Sequence, residues 1–190
     1  MFERYHSVGG SRGSLAEVWI DKDEKLVKKY YKINGNTIQN RPPMHNTIEE
    51  INRLYYNEIY WSTKLKSDLL VKTYEHGKLD DQFGYYILQE CPGPDLLQYQ
   101  VEDLNTVFPN ITEQIQNMFK FFKQHNMYKL NNAMCNLTGK NGQLMCFDFK
   151  YAATRTVKNI ELERHSIKEW ISKIDPSLIS KLDEYIALDV

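Results

Sequence analysis

The chain contains few cysteines, and their positions do not suggest a metal site or a disulfide framework. There are three among 190 residues, Cys91, Cys135 and Cys146, which is an odd number without metal-type spacing. We therefore interpret them as reduced thiols of a cytoplasmic protein. This pattern disfavours both a structural zinc site and a secreted, disulfide-stabilised fold.

Long apolar runs and an excess of one charge are also missing. No stretch approaches the roughly 20 apolar residues needed to cross a bilayer, and the N-terminal sequence MFERYHSVGG lacks the apolar centre of a signal peptide. The formal net charge is -1 and the isoelectric point about 6.5, so no general charge attraction favours nucleic acid or an anionic membrane as a partner. With 42% hydrophobic residues, the chain can form one core or two small lobes around a cleft.

Small residues occupy the predicted turn between two strands near the N-terminus. Residues 7–14 include Gly13 and Ser14, and backbone N–H groups in such a turn can approach a phosphate chain closely. A third strand is predicted over 25–31. Because side chains alternate along a strand, either Lys28 or Lys29 must point inward.

A helix is predicted to begin at Thr47, with Glu50 three residues later completing a capping box. Glu58 lies within its apolar face, which is formed by Ile51, Leu54, Tyr55, Trp61 and Leu65. A buried carboxylate needs a cationic partner, and the inward strand lysine is the candidate. Two more strands, at 69–75 and 85–90, precede the Cys91-Pro92-Gly93-Pro94 break.

Beyond that break the pattern is mainly helical, with one β-hairpin. Asp95 begins a short helix, and Asn110 caps a longer one whose buried face contains Ile111, Ile115, Met118, Phe119 and Phe122. The hairpin consists of predicted strands 135–138 and 143–149 joined by an Asn-Gly turn. Amphipathic helices complete the chain.

The hairpin is expected to bring together two side chains that can bind a cation. Asn136 lies in its first strand and Asp148 at the end of its second. An amide oxygen and a carboxylate are ligands that Mg²⁺ accepts together with phosphate oxygens. The hairpin therefore predicts a site for magnesium and a phosphorylated ligand, although many short hairpins are only surface structure.

The order of these parts resembles the protein-kinase-like superfamily over nearly the whole chain, in a minimal form closest to small atypical, aminoglycoside-kinase-like and choline-kinase-like members. The resemblance implies an α+β, two-lobed protein-kinase-like fold. Residues 1–90 would form an N-terminal lobe with an antiparallel sheet plus one helix, and 91–95 a hinge. Residues 96–190 would form a reduced, mostly helical lobe with a small β-hairpin.

The resemblance also implies a site for ATP and Mg²⁺ in the cleft between the lobes. It assigns Gly13 and Ser14 to the loop over the phosphates. It assigns Lys28 to the α- and β-phosphates, with Lys29 as the alternative one residue on, and Glu58 to the partner of that lysine. It places Glu90 at the adenine and hinge position, and it makes Asn136 and Asp148 the metal ligands.

Several residues depart from the family pattern. Asn131 stands five residues before Asn136, where the family has its catalytic Asp. An amide can hold a substrate hydroxyl but cannot take its proton. Pro92 lacks a backbone N–H near the hinge, and Lys150 replaces the glycine of Asp-Phe-Gly.

Three functions are open at this point. The first is an atypical small kinase that uses Mg-ATP to phosphorylate an unknown protein or small-molecule acceptor, with Asn131 and Asp148 as its catalytic residues. The second is a pseudokinase, a module that binds a nucleotide or a partner. The third is another nucleotidyl transfer, such as adenylylation. The richness in Asn, Lys, Ile and Tyr is typical of an AT-rich genome and suggests a virus or phage, which would place the protein in the host cytoplasm.

Overall fold

A computed structural model of the chain describes residues 1–5, 16–32, 47–79 and 84–188. These residues belong to two compact units. The first comprises Met1–Lys64 and Val71–Pro92, and the second comprises Leu65–Leu70 and Gly93–Val190. The predicted phosphate loop, with Gly13 and Ser14, lies outside the described residues.

The first unit contains a five-stranded antiparallel sheet with the order β1-β2-β3-β5-β4. The strands are β1 Glu3–Arg4, β2 Glu17–Asp21, β3 Leu26–Lys32, β4 Thr73–Lys78 and β5 Gly84–Glu90. The predicted mixture of helices with an N-terminal antiparallel sheet is therefore confirmed. β3 is the central strand, since one of its edges pairs with β2 and the other with β5.

The helix of the first unit, α1, spans Ile48–Lys64. Its start agrees with the sequence prediction, because the Thr47 hydroxyl accepts a hydrogen bond from the Glu50 backbone N–H at 3.2 Å. The predicted face is also correct: the helix buries Ile51, Leu54, Tyr55, Glu58 and Trp61. Burial of four large apolar side chains explains why the helix packs with this face inward.

The strand predicted over 69–75 begins later than expected, at Thr73. Leu70 instead forms an isolated parallel bridge with Cys146, and the Cys146 backbone N–H donates to the Leu69 carbonyl at 2.8 Å. The apolar run Leu69-Leu70-Val71 predicts one continuous strand, because periodicity alone does not show where a buried run changes its pairing partner.

The second unit is mostly helical. Its α-helices are α2 Leu104–Val107, α3 Ile111–Gln124, α4 Val157–Ile174 and α5 Leu178–Ile186. Short 3₁₀ helices span Leu96–Gln98, Val101–Asp103 and Met134–Asn136. The strands form two pairs: β6 Met127–Tyr128 with β9 Ala153–Thr154, and β7 Leu137–Lys140 with β8 Gln143–Cys146.

The start of α3 differs from its prediction, although its buried face is as expected. Asn110 has a left-handed backbone with φ of 58°, and its side chain makes no capping hydrogen bond. Asparagine is one of the few residues that adopt a left-handed backbone readily. Asn110 therefore contributes to the start of the helix through its backbone conformation and not through a side-chain cap.

The β7–β8 hairpin has the predicted Asn-Gly turn. Asn141 and Gly142 both have positive φ, 54° and 78°, as a tight turn between antiparallel strands requires. The first strand begins two residues later than predicted, because residues 134–136 form a 3₁₀ turn. The second strand ends at Cys146, so Asp148 lies in the segment that follows it.

In the part of the chain that the structure describes, none of the helices is both long enough and apolar enough to cross a membrane.

Candidate functional sites

The first unit contains a buried ion pair between its sheet and its helix. Nζ of Lys29, on β3, lies 2.6 Å from Oε1 of Glu58, on α1. Glu58 is 0% exposed and Lys29 is 7% exposed. The carboxylate within the apolar face of α1 thus has the lysine partner that its position requires.

The lysine in this pair is Lys29, which corrects the preference for Lys28. Lys28 lies on the opposite side of β3, with its ammonium 5.4 Å from the ring centre of Tyr30 and 4.8 Å from that of Tyr86. Strand alternation shows that the two lysines face opposite ways but not which one faces the helix. That choice depends on which face of the sheet α1 covers.

The pair has a third member that sequence reasoning missed. The Tyr31 hydroxyl donates a hydrogen bond to Oε2 of Glu58. Tyr31 is fully buried, and it lies two residues after Lys29, on the same face of β3. Once Lys29 is known to face the helix, this two-residue spacing is the sequence signal that identifies Tyr31 as a second residue on that face.

Glu90, assigned to the adenine position by the resemblance, lies at the end of β5. It is buried, and its backbone N–H donates to the Lys72 carbonyl at 2.9 Å. The next backbone N–H, of Cys91, donates to the Lys25 carbonyl at 2.8 Å. Both N–H groups are therefore already paired with backbone carbonyls, and the role of Glu90 with a nucleotide stays a prediction.

The second unit contains a polar cluster around the loop that follows β6. Glu163, on α4, is 1% exposed. Its carboxylate accepts the backbone N–H groups of Lys129 at 3.2 Å and Leu130 at 2.7 Å. Burial raises the pKa of Glu163, against the lowering effect of these bonds and of Asn132. Leu130 has a left-handed backbone, φ 59°, so the glutamate stabilises a conformation that a leucine rarely adopts.

Asn131 and Asn136 are connected within this loop. The Asn131 backbone carbonyl accepts the side-chain amide of Asn136 at 3.0 Å and the ammonium of Lys129 at 2.7 Å. The Asn136 side-chain oxygen accepts a weak hydrogen bond from the Cys135 thiol, with 3.8 Å between Sγ and Oδ1, so both ends of this amide have a partner within the loop. Asn131 itself is half-buried, and its side-chain amide cannot take a proton from a substrate hydroxyl.

Lys129 is a buried cation that the sequence analysis did not consider. It is 1% exposed, and its ammonium lies 5.6 Å from the ring centre of Phe149. Burial lowers its pKa, and the nearby charge of Lys150 lowers it further, whereas Asp148 and Glu163 act in the opposite direction. The sequence places Lys129 between the apolar residues Tyr128 and Leu130. This pattern alone does not predict burial, because a lysine is normally exposed.

Asp148 also has an ammonium partner. Nζ of Lys150 lies 2.5 Å from its Oδ2, and both residues are buried. Asp148 has φ of 67°, and the preceding N–H, of Phe147, donates to the Asn136 backbone carbonyl at 3.1 Å. The structure thus places the backbone before Asp148 beside Asn136, as the hairpin predicted.

The residues of this cluster do not fit a divalent cation well. Over the described ranges, no group of three or more His, Cys, Asp or Glu side chains could hold a metal ion. The one carboxylate assigned to Mg²⁺, that of Asp148, already has the Lys150 ammonium on Oδ2. Magnesium requires near-octahedral oxygen ligands, so it would have to compete with an ion pair that is already in place.

Comparison of the chain with models of protein families and with curated protein sequences finds no significant match. The two polar clusters are therefore the basis on which a function can be assigned.

Proposed function

We propose that the protein is a nucleotide-binding pseudokinase whose two units are the lobes of a minimal kinase-like fold. Lys29, held by Glu58 and Tyr31, contacts the phosphates of the nucleotide. The observation that carries this proposal is the buried Lys29–Glu58 pair, because it joins a strand lysine to a helix glutamate as the resemblance implies. A five-stranded antiparallel sheet with one helix also agrees with that resemblance.

The pair suits phosphate binding for a physical reason. Burial removes most of the water around the Lys29 ammonium, and the Glu58 carboxylate compensates for that loss and keeps the charge in place. Each carboxylate oxygen of Glu58 accepts one hydrogen bond, from Lys29 on one side and from Tyr31 on the other. These two bonds fix the orientation of Glu58 and hence the position of the ammonium. A positioned ammonium binds phosphate oxygens as a point charge.

Two features of the second unit favour binding over turnover. Asn131 cannot accept a proton from a substrate hydroxyl, and Lys150 occupies the carboxylate that would hold the metal in an active kinase. Phosphoryl transfer depends strongly on the charge of the metal ion, and a general base adds to the rate, so the loss of both lowers turnover. The output we propose is a nucleotide-dependent contact with a protein partner.

An atypical kinase with slow turnover is the second candidate. Glu163 holds the backbone of Lys129 and Leu130, and Asn136 holds the Asn131 carbonyl. This ordering could position an acceptor hydroxyl without a base, since positioning alone contributes to phosphoryl transfer.

The test is direct measurement of nucleotide binding by calorimetry on the purified full chain. Wild type is compared with Lys29→Arg, Lys29→Met and the control Lys28→Met, each checked for folding by circular dichroism. We expect Lys28→Met to bind ATP within about twofold of wild type and Lys29→Met to lose at least tenfold in affinity, about 1.4 kcal/mol. Failure of the wild type to bind ATP or ADP under any condition would refute the proposal.

The products of a long incubation with ATP separate the remaining functions. ADP formation in excess of an Asp148→Asn control would favour the atypical kinase. Pyrophosphate release with AMP attached to protein would favour adenylylation. The absence of both, with nucleotide bound, is the result expected for a pseudokinase.

A further inference from the structure

We infer that Lys150 is the resident cation of the Asp148 site, so that this protein binds nucleotide without a divalent metal ion. The inference rests on the proposed function, because it concerns how the same nucleotide is bound. It also makes a statement about the second unit alone, namely that Lys150 keeps divalent cations off Asp148.

The geometry of the pair supports this role. Lys150 Nζ and Asp148 Oδ2 are 2.5 Å apart, and the two side chains are 9% and 11% exposed. Lys150 lies two residues after Asp148, at the position where the resemblance has a glycine. A glycine cannot supply a charge, so this substitution places an ammonium where an active kinase would leave space for metal and phosphate.

A divalent cation would have to displace Lys150 in order to bind Asp148. Displacement would leave a buried ammonium without its carboxylate, which is strongly unfavourable. The second buried ammonium, that of Lys129, is close enough for Asp148 and Lys150 to affect its pKa. Lys129 and Lys150 therefore both oppose the entry of a further cation at Asp148.

The ion pair performs one task that a metal would otherwise perform. An unpaired Asp148 carboxylate would repel the phosphates of a bound nucleotide, and Mg²⁺ commonly offsets such repulsion by bridging the two. The Lys150 ammonium neutralises Asp148 from within the chain. A bridging ion is then not needed to neutralise this carboxylate.

The first experiment needs no nucleotide. Mn²⁺ is titrated into the full chain and the free ion is measured by electron paramagnetic resonance, for wild type, Lys150→Met and the control Lys158→Met. Lys158 is exposed on α4, so its replacement removes the same charge away from the cluster. We expect no binding up to millimolar Mn²⁺ for wild type and for the control, and measurable binding in the millimolar range for Lys150→Met, which frees the Asp148 carboxylate.

The second experiment measures the affinity for ADP in EDTA and in Mg²⁺. We expect the wild-type dissociation constants to agree within about twofold, and those of Lys150→Met to differ by at least tenfold in favour of Mg²⁺. Metal-dependent ADP binding by wild type would overturn the inference, as would Mn²⁺ binding by wild type or its absence in folded Lys150→Met. The wild-type measurements keep the inference falsifiable if Lys150→Met does not fold.

The two proposals fail in different ways. If wild type binds no nucleotide, the proposed function is refuted, while the Mn²⁺ titration still decides whether Lys150 excludes metal. If wild type binds ADP only with Mg²⁺, nucleotide binding stands and the role of Lys150 is refuted.

Discussion

Tyr31 donates a hydrogen bond to Oε2 of Glu58, while Lys29 donates one to Oε1. Both Tyr31 and Glu58 are fully buried. An ionised carboxylate in such a place is stable only when its oxygens are satisfied, and here one oxygen has an ammonium and the other a hydroxyl. The three side chains act as one unit, in which each member limits the orientation of the others.

Tyr31→Phe is expected to lower the free energy of unfolding by about 1–3 kcal/mol, because it removes the hydroxyl and leaves one buried oxygen of Glu58 unsatisfied. Urea denaturation followed by circular dichroism measures the change. The matched control is Tyr30→Phe, on the opposite face of β3. Equal destabilisation by the two variants would contradict the role given to Tyr31.

Lys29→Met is expected to destabilise the protein far more than Lys28→Met. Removal of Lys29 leaves the buried Glu58 carboxylate without its cation, which costs about 3–5 kcal/mol. Lys28 contacts the rings of Tyr30 and Tyr86, and such a contact contributes about 0.5–1 kcal/mol at an exposed site. Thermal melts of both variants at the same pH and salt concentration test this difference. A larger loss in Lys28→Met would return the pairing role to that residue.

Lys129 is expected to make stability increase with pH in alkaline solution. Its pKa is lowered in the folded protein from the ordinary value of 10.5, chiefly by burial. Between the lowered pKa and 10.5, the unfolded chain holds a proton that the folded chain has released, so the free energy of unfolding rises with pH. The slope from this one group is at most about 1.4 kcal/mol per pH unit.

The measurement is urea unfolding of wild type and Lys129→Met from pH 7 toward pH 10. The stability of wild type relative to Lys129→Met should increase as the pH rises. Lys158→Met, which removes an exposed lysine, should show no such trend relative to wild type. A difference that stays constant over the whole range would show that Lys129 is not held in an unfavourable charged state.

Glu163→Ala is expected to loosen the loop that carries Asn131. The backbone N–H groups of Lys129 and Leu130 would lose their acceptor, and unsatisfied buried donors of this kind cost about 1–3 kcal/mol. Hydrogen exchange followed by NMR should show protection of these two amides falling by tenfold or more. The control is Glu161→Ala, at an exposed position two residues earlier on α4; similar loss of protection there would contradict the anchoring role.

The sequence predicted most accurately what is decided locally. The start of α1 follows from the Thr47 hydroxyl and the Glu50 N–H three residues later, and the β7–β8 turn follows from Asn141-Gly142. In both cases the residues that determine the structure are neighbours in the chain. The buried face of α1, including Glu58, follows from helical spacing in the same way.

What depends on distant pairing was predicted less well. The choice between Lys28 and Lys29 depends on which face of the sheet α1 covers. The shortened β4 depends on the bridge of Leu70 to Cys146, more than seventy residues away. The Lys150–Asp148 pair was missed for a local reason, because the left-handed backbone of Asp148 does not follow from the apolar pattern that predicted a strand over 143–149.

The short segment Leu65–Leu70 determines whether the two units can be produced as separate fragments. It belongs to the second unit, although it lies in sequence between two parts of the first. A cut after Pro92 would therefore give an N-terminal fragment that carries Leu65 and Leu70, two buried side chains of the other unit. The C-terminal fragment would lack the Leu69–Cys146 hydrogen bond. Expression of either half alone should yield aggregation-prone material, whereas co-expression of the two halves could restore the native pairing.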